Sequence, residues 1–383
     1  MHVLIIPSWY PLNEYDLNGC FFREQALAMS RGGVKVGVIA PQFRSLRGGR
    51  QAIFNRYGRE IWKDQDVWIY LEHNIFWFPK IPYIDLIRWT NVALKLFTQY
   101  IKDNGKPDLI HVQSALLAGP AALKIFKKYG IPYCVTEHST TFGRGLVKPW
   151  QFQYLKKVQN SSKKCLAVSK DFSKTLEVKL GKSWEYCPNL LDNIFAEDFS
   201  LNLLKNKKDL QFCAVAHLQP KKGFDILIKA FSKVVESYSE ASLLIGGDGP
   251  EREKLGVLIK ELNLDANIEL LGALNRIQVR NLMRDSKYFV LSSHIETFGV
   301  VVIEALSQGA AVVATKCGGP ESIVQPDDGV LVPVNDIESL SAAMLNIIKQ
   351  NKDPILIRKN CVERFSEPVF VSRLLKHYND TIK

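Results

Sequence analysis

The chain is 383 residues long, with 46% hydrophobic, 10% aromatic and 23% charged residues. This length and composition predict a folded protein of two domains, and they exclude a small module, a disordered chain and a fibrous one. The formal net charge of +11 is uneven, because residues 1–190 carry +13 and residues 191–383 carry −2. A basic first half favours a surface that faces phosphate, nucleic acid or anionic lipid; the alternative is basic side chains that only keep the protein in solution.

The sequence predicts neither a targeting segment nor a membrane span. The first residues have no basic region and only a short apolar run, and nowhere do 18 apolar residues follow one another. The seven cysteines are scattered and lack the paired spacing of a zinc site, as is typical of free thiols in a reducing compartment. We therefore expect a cytoplasmic protein.

Short apolar runs alternate with helical patterns along the first half. Continuously apolar runs of this kind indicate parallel strands that helices cover on both faces. The predicted strands are His2–Pro7, Val34–Ala40, Asp108–Gln113, Tyr133–His138 and Lys164–Ser169. The predicted helices are Phe21–Arg31, Leu116–Tyr129 and Asp171–Leu180.

The second half repeats the pattern. Its predicted strands are Gln211–His217, Ser242–Gly246, Asn267–Leu271, Tyr288–Ser292, Ala311–Ala314 and Val330–Pro333, and its predicted helices include Phe224–Tyr238, Arg252–Leu262 and Val300–Gln308. Two such halves predict an α/β protein with two doubly wound parallel-sheet domains. We place the first domain at residues 1–195, the second at residues 196–365, and a C-terminal helix at residues 366–383.

The ends of the strands are where a ligand is expected. Open parallel sheets bind ligands beyond the carboxyl ends of their strands, so two such domains predict a site in the cleft between them. Neither GxGxxG nor GxxxxGK[ST] occurs, which disfavours a nicotinamide or P-loop protein. A glycine instead leads into the predicted helix at Val300, where the backbone N–H groups of Phe298, Gly299 and Val300 can approach a phosphate.

Two carboxylates accompany this helix. Glu296 precedes it and Glu304 lies on its second turn, a separation of roughly 12 Å if all eight residues were helical. Hydrolytic carboxylate pairs are about 5–10 Å apart, so this spacing disfavours a glycosidase and suits one carboxylate on a sugar and the other on a ribose. On spacing alone, two solvated charges are the alternative.

Three further candidates follow other strands. Lys222 can neutralise a phosphate, Gly249 belongs to a glycine-rich turn, and His138 can bond to a sugar hydroxyl. Their structural alternatives are a surface lysine, an ordinary turn and a satisfied histidine. Asp64 and Asp66 have the spacing of a metal-chelating pair, but the segment shows no flanking strand pattern, so we predict no metal site.

In their order along the chain, these features resemble the retaining nucleotide-sugar glycosyltransferases of the GT-B fold, specifically glycosyltransferase family four. The resemblance covers nearly the whole chain and is most specific where Glu296 and Glu304 are followed by Gly318-Gly319 and by Gly329–Val332. Other matching stretches are Pro107–Val112, Thr136–His138, Lys222–Phe224 and Gly247–Pro250. The resemblance implies a GT-B fold, in which an acceptor-binding first domain and a nucleotide-sugar donor domain, both Rossmann-like, face each other across a cleft. It also implies that the C-terminal helix at residues 366–383 crosses back to the first domain.

The resemblance also implies roles for single residues. The catalytic residues would be Glu296, which would hold the donor sugar, His138, which would contact a sugar hydroxyl, and Lys222, which would balance the charge of the diphosphate. Glu304 would bond the ribose hydroxyls. The remaining donor contacts would come from the loop at Gly19, from the N–H groups of Phe298, Gly299 and Val300, and from the turn at Gly249 near the base.

One position departs from the family pattern. Where the family usually has Gly-Arg before Lys-Gly, this chain has Ala216-His217, so the donor site holds His217 in place of an arginine that shares the diphosphate charge. Histidine is charged only in part at pH 7. Either Lys221 or Arg144 supplies the missing cation, or the diphosphate binds more weakly; we hypothesise Arg144, which follows His138 closely in the chain.

The implied activity is that of a retaining, metal-independent hexosyltransferase without a cofactor, because basic side chains and a helix N-terminus stabilise the departing diphosphate. The donor would be a UDP- or GDP-sugar, and the acceptor a glycan or lipid-linked glycan of cell-surface polysaccharide biosynthesis. No nucleic-acid partner is expected. The alternative is a nucleotide-sugar epimerase or an inactive nucleotide-sugar-binding subunit on the same scaffold, since a fold does not fix a function.

Two segments of the first half are unusual. A predicted flexible basic loop contains Gly48-Gly49 and the cations Arg44, Arg47, Arg50, Arg56, Arg59 and Lys63. A cluster of aromatic residues beside Lys80 and Arg88 comprises Trp68, Tyr70, Phe76, Trp77, Phe78, Tyr83 and Trp89. Cations beside aromatic rings are typical of peripheral contact with an anionic membrane, here the inner face, where a lipid-linked acceptor would be reached. The alternative is that the rings pack in the core or between domains.

Overall fold

The computed structural model describes residues 1–13, 16, 18–46, 57–196 and 207–383. The chain divides into two compact units. Unit 1 comprises Met1–Val168, Ser173–Leu190 and Phe370–Lys383, and unit 2 comprises Ser169–Phe172 and Leu191–Val369. Unit 1 is therefore built from separate stretches of chain, and the last of them is the C-terminal stretch.

In the described part of unit 1, eight strands form one sheet. They are β1 (His2–Pro7), β2 (Lys35–Ser45), β3 (Gly58–Asp64), β4 (Val67–Phe76), β5 (Leu109–Gln113), β6 (Tyr133–Glu137), β7 (Lys164–Ala167) and β8 (Glu185–Tyr186), arranged in the order β3-β4-β2-β1-β5-β6-β7-β8. Neighbours pair in parallel, except that β3 runs antiparallel to β4. The helices within this half are α1 (Cys20–Arg31), α2 (Pro82–Asn104), α3 (Ala115–Tyr129), α4 (Pro149–Ser161) and α5 (Lys170–Leu180).

Unit 2 contains a second sheet, all of whose described pairings are parallel. Its strands are β9 (Lys208–Val215), β10 (Ser242–Gly246), β11 (Ile268–Gly272), β12 (Ser286–Leu291), β13 (Ala311–Thr315) and β14 (Gly329–Val332), in the order β11-β10-β9-β12-β13-β14. Its helices are α6 (Asn193–Ala196), α7 (Phe224–Ser237), α8 (Arg252–Glu261), α9 (Arg276–Asp285), α10 (Val300–Ser307), α11 (Ile337–Gln350) and α12 (Pro354–Phe365). The predicted α/β class, with two Rossmann-like parallel-sheet domains, is confirmed.

The last helix, α13 (Glu367–Ile382), contributes to the core of unit 1. Phe370, Leu374 and Tyr378 on this helix are buried in the same apolar cluster as Val3 and Leu109 of the central strands. The hydroxyl of Tyr378 also reaches the buried His111 Nδ1 at 2.7 Å. The C-terminal helix is thus part of the first sheet's packing.

The expectation that no strand flanks Asp64 and Asp66 is wrong. These residues lie at the turn between β3 and β4, where Gln65 has a positive φ of 51°. Arg59 on β3 pairs directly across from Glu72 on β4, with 2.8 Å between Nη2 and Oε2. The hairpin was missed because no residue of β3 is fully buried and one face of β4 carries charged and aromatic side chains, which hide the alternation of its other, buried face.

The structure divides the two unusual segments. Arg44 lies on β2, and Arg59 and Lys63 lie on β3, so these three belong to strands and not to a flexible loop. Arg47, Gly48, Gly49, Arg50 and Arg56 lie outside the described residues.

The aromatic cluster is also split. Tyr70 and Trp89 are 2% and 0% exposed and pack in the core, which corrects their assignment to a membrane contact, whereas Trp77, Phe78 and Tyr83 are exposed. Among the described residues, no helix is both long enough and apolar enough to cross a bilayer.

Candidate active site

The loop before α10 is shaped by glycines. Gly299 caps the helix with φ at +93°, in the left-handed region that glycine tolerates without strain. A Cβ on Gly319 would lie 2.2 Å from the carbonyl oxygen of Phe298, so only glycine allows these two backbone segments to approach so closely. Phe298 itself is buried against Phe365, with ring centroids 6.0 Å apart. The first N–H groups of α10 are therefore presented from a tightly held turn, as an anion site requires.

Lys222 and Glu296 are brought together in unit 2. Lys222 Nζ donates to Glu296 Oε1 at 2.5 Å, and Ser293 Oγ donates to the same oxygen at 2.9 Å. Their loops are fixed by backbone contacts, since Glu296 N donates to Cys317 O and Ser292 Oγ donates to Lys222 O, both at 2.9 Å. A phosphate that binds Lys222 must therefore compete with Glu296 for this cation.

Glu304 is only 2% exposed, on the second turn of α10. Its Oε1 accepts a hydrogen bond from Arg276 Nη1 at 2.6 Å, and Arg276 Nη2 donates to Asp192 Oδ2 at 2.5 Å. The guanidinium also lies over the ring of Phe195, 4.8 Å from its centroid. The alternative that Glu304 is a solvated helix residue is therefore wrong, because its carboxylate is buried and paired with a shared arginine.

The local sequence explains how Arg276 is presented. It is the first residue of α9, whose N-cap residue Asn275 forms a capping box with Gln278. Asp192 Oδ1 accepts from Ile194 N at 3.0 Å at the start of α6. The sequence predicts no role for Arg276 or Asp192: Asp192 ends a stretch, Cys187–Asp192, that resembles the family, but Arg276 belongs to no motif and lies 84 positions further along the chain.

The turn at Gly249 is also closely packed. A Cβ on Gly247 would lie 1.9 Å from Ala216 O, and one on Gly249 would lie 2.5 Å from Leu218 O. Leu218 N donates to Asp248 O at 2.9 Å, which fastens this turn to the segment after β9. The glycines are required by this backbone packing, whatever else the turn binds. His217 is exposed in the same segment.

His138 lies in unit 1 at the end of β6 and is 6% exposed. Its Nε2 donates to Gln113 Oε1 at 2.6 Å; Gln113 Nε2 donates in turn to Gln25 Oε1, and Gln25 Nε2 to Asn189 Oδ1, both at 2.9 Å. Burial, and secondarily the charge of His111, lowers the pKa of His138 to about 3. The imidazole is therefore neutral at physiological pH, with its proton on Nε2.

Glu137, next to His138, has a structural role. Its Oε2 accepts from Ala115 N at 2.8 Å, at the start of α3, and its Oε1 accepts from the N–H groups of His138 and Ser139 at 3.1 and 3.0 Å. Burial raises the pKa of this carboxyl group, although these N–H donors oppose the rise. Glu137 thus orders the turn that carries His138.

Gly19 and Arg144 are the other unit 1 candidates. Gly19 caps α1 with φ at +84°, and a Cβ there would lie 2.8 Å from Trp9 Cδ1. Arg144 is exposed, and its backbone N–H donates to Thr140 O at 2.9 Å. Because Arg144 and His217 belong to different units, the hypothesis that Arg144 replaces the missing arginine stays a prediction.

The described residues contain no group of three or more His, Cys, Asp or Glu side chains arranged to hold a metal ion. Asp64, the first member of the aspartate pair, is held by Arg23, whose Nε lies 2.6 Å from Asp64 Oδ2. Its carboxylate therefore takes part in packing α1 against the hairpin.

Two Rossmann-like units, each built on a mainly parallel sheet, with a glycine-capped helix and the buried carboxylate of Glu304 in the second, are typical of α/β proteins of the GT-B type. Residues 196–364 match the family described as Glycosyl transferases group 1, and residues 21–192 match Glycosyltransferase Family 4. Through these two matches, which follow one another along the chain, the chain belongs to the glycosyltransferases that the two family models describe.

Individual relatives are more distant. The 2-deoxystreptamine N-acetyl-D-glucosaminyltransferase of Niallia circulans is 26% identical over 307 residues, 73% of this chain and 76% of the relative. One subunit of the human phosphatidylinositol N-acetylglucosaminyltransferase is 30% identical over 170 residues, 44% of this chain and 34% of the relative. The chain therefore matches only about a third of the human protein's length.

The fold has a close counterpart among solved structures. A crystal structure of the Anabaena protein HepE in complex with UDP and glucose superposes with a TM-score of 0.71 at 16% identity and covers 99% of both chains. This likeness shows that the two chains share a fold.

Proposed function

We propose that the protein transfers a sugar from a nucleotide-diphosphate sugar to a glycan or lipid-linked acceptor, with retention at the anomeric carbon and without a metal or cofactor. The observation that carries the proposal is the carboxylate of Glu304, buried on α10 and paired with Arg276. A buried ionised carboxylate is costly unless it is paired, and it accepts hydrogen bonds from a vicinal diol such as a ribose.

The leaving group would be stabilised electrostatically. The N-terminus of α10 offers N–H groups and a partial positive charge, and Lys222 adds a full charge when a phosphate displaces Glu296. Donors fixed before the reaction stabilise developing charge without reorganisation. Glu296, released from Lys222, would then be free to bond the donor sugar.

The proton of the acceptor hydroxyl would pass to the departing phosphate. His138 suits hydrogen bonding to a hydroxyl better than acid catalysis, because its lowered pKa keeps the ring neutral. The amide chain through Gln113 and Gln25 fixes the orientation of the ring.

The names of the relatives suggest which donor to test first. The bacterial and human relatives are both named as N-acetylglucosaminyltransferases, and the Anabaena structure contains UDP. We therefore propose UDP as the nucleotide and N-acetylglucosamine as the first sugar.

The test is a thermal-shift and calorimetry panel with UDP, GDP, ADP and their common sugar conjugates. A ligand that binds the folded protein raises its apparent stability by mass action. We expect one nucleotide to stabilise unit 2, Glu304→Ala to abolish this shift, and the exposed control Glu236→Ala to keep it. Absence of a shift with every nucleotide would contradict the proposal.

Turnover separates the proposal from its alternative. A transferase releases nucleoside diphosphate from the donor when acceptor is present, whereas an inactive subunit binds the donor without releasing it. Specific binding without release under any acceptor condition would favour the inactive nucleotide-sugar-binding subunit.

A further inference from the structure

The segment that joins β4 to α2 exposes its apolar side chains. Residues 77–83 read Trp-Phe-Pro-Lys-Ile-Pro-Tyr and are exposed throughout; we call them the aromatic loop. Trp77, Phe78, Ile81 and Tyr83 are 45%, 41%, 53% and 56% exposed. Single exposed apolar residues are ordinary, but four within seven positions form a patch of the kind that marks an interaction site.

The aromatic loop is held in this conformation. The buried Asp85 accepts from Trp77 N at 3.2 Å and from Phe78 N at 2.8 Å, and it pairs with Arg88 at 2.8 Å. Ile81 N donates to Phe78 O at 2.9 Å, closing a turn. The exposed rings are therefore presented by a fixed backbone.

The aromatic loop continues into a groove beside α4. Tyr83 meets Trp150 edge to face, with ring centroids 5.8 Å apart. The groove has a volume of about 540 Å³, and its walls include Ile81, Lys80 and Lys157. Two cations therefore border the apolar side chains.

The exposed charges of the surrounding segments are all positive. Residues 77–88 and 143–160 contain six basic residues and one acidic residue, and that one is the buried Asp85. Within the described chain, neither Lys80 nor Lys157 forms an ion pair. The patch thus offers exposed cations and aromatic rings with no exposed carboxylate in these two segments.

We propose that the aromatic loop, with the adjoining face of α4, docks on an anionic lipid bilayer. Aromatic rings partition into the headgroup region, and cations beside them are attracted by the negative surface potential. Charge complementarity favours this occupant over a two-fold dimer, because a two-fold contact would bring the same positive patch against itself. The inference goes beyond sugar transfer and does not depend on it, since docking needs neither nucleotide nor acceptor.

The experiment is co-sedimentation of the full chain with vesicles of phosphatidylcholine alone and of phosphatidylcholine mixed with phosphatidylglycerol, over a range of salt. We expect saturable binding to the mixed vesicles that weakens as salt rises. Each lysine replaced, in Lys80→Gln and Lys157→Gln, is expected to weaken binding about fivefold. Trp77→Ser combined with Phe78→Ser is expected to weaken it about tenfold or more.

Matched controls come from α5, in which Val178 is 86% exposed and Lys179 is exposed beside it. Val178→Ser and Lys179→Gln should leave vesicle binding unchanged. Circular dichroism and thermal melting identify any variant that fails to fold. The single lysine variants, whose side chains are exposed, keep the test valid if the double aromatic variant is unstable.

Three results would overturn the proposal. They are no binding to either vesicle, equal binding to both vesicles without salt dependence, and binding that the α4 and loop variants leave intact. A concentration-dependent dimer in light scattering that Trp77→Ser disrupts would assign the surface to self-association instead. Nucleotide binding measured on the same preparations separates these outcomes from a failure of the proposed function.

Discussion

Replacing Arg276 with glutamine tests whether this side chain positions the Glu304 carboxylate. The guanidinium bonds Glu304 Oε1 at 2.6 Å and Asp192 Oδ2 at 2.5 Å, and the shorter, neutral glutamine loses both charge-assisted contacts. Glu304, only 2% exposed, would then be a buried carboxylate without its cation. Such a group takes up a proton or turns toward water, and either response removes an acceptor for a ribose hydroxyl.

The size of the effect follows from the burial of each partner. A hydrogen bond to a charged group contributes about 1.5–3 kcal/mol. The Arg276 side chain is 29% exposed, so solvent screens part of the interaction and the lower end applies. A loss of about 1.4 kcal/mol corresponds to a tenfold weaker nucleotide affinity.

The assay is isothermal titration of a bound ribonucleotide and of its 2′-deoxy analogue. We expect Arg276→Gln to weaken binding of the ribonucleotide about tenfold and binding of the deoxy analogue much less. In a Glu304→Gln background, Arg276→Gln should weaken nucleotide binding little further, because the two residues act as one unit. Arg284→Gln, on the same helix α9, is the control.

Equal loss of affinity for both ligands would refute the reasoning, because an arginine that only stabilises the fold would affect both ligands alike. Full additivity of Arg276→Gln and Glu304→Gln would refute it too. Absence of any nucleotide binding in the unaltered protein would instead contradict the proposed function.

Two further predictions concern stability. Gly247→Ala places a Cβ 1.9 Å from Ala216 O and should lower the unfolding free energy of unit 2 by about 3 kcal/mol, whereas Gly256→Ala in α8 meets nothing within 4 Å and should be neutral or stabilising; calorimetry that finds the two variants alike would contradict the packing argument. Burial lowers the pKa of His111 to about 3, below the unfolded value near 6.5. The contribution of the neutral, buried His111 to the free energy of unfolding is therefore complete above pH 6.5. It is lost as the pH falls toward 3, and the loss is about 2 kcal/mol at pH 5. In denaturant melts, the free energy of unfolding of His111→Gln should fall less steeply with decreasing pH than that of His294→Gln, a variant of an exposed residue. Parallel curves for the two variants would contradict the assignment of this pH dependence to His111.

Strands were predictable wherever both faces of the sheet are covered. Every residue of β1 is buried, so its apolar run is continuous, and β10 spans Ser242–Gly246 as predicted. The hairpin of β3 and β4 was missed because β3 has no fully buried residue and β4 is buried along its full length on one face only. There the buried Val67 and Ile69 flank the exposed Trp68, and the rings of Trp68, Tyr70 and Phe76 on the other face run on into those of the following loop, so that all of them read as one cluster.

The site was predictable where it is local in sequence. Glu296, Gly299 and Glu304 lie within nine positions, so their spacing on one loop and helix can be read directly. Arg276 meets both Glu304 and Asp192 only because α6, α9 and α10 converge in the folded unit. No spacing rule reports such a contact, since it depends on tertiary packing.

The position of α13 has a consequence for biosynthesis. Domains usually fold from the N-terminus as the chain leaves the ribosome. Here unit 1 needs residues from both ends of the sequence, because Tyr378 fills its core and bonds His111. Unit 2 is encoded before α13, so we expect it to complete folding first while the earlier-made unit 1 waits for its last helix. During translation the apolar surface that α13 later covers would be exposed to chaperones and to aggregation.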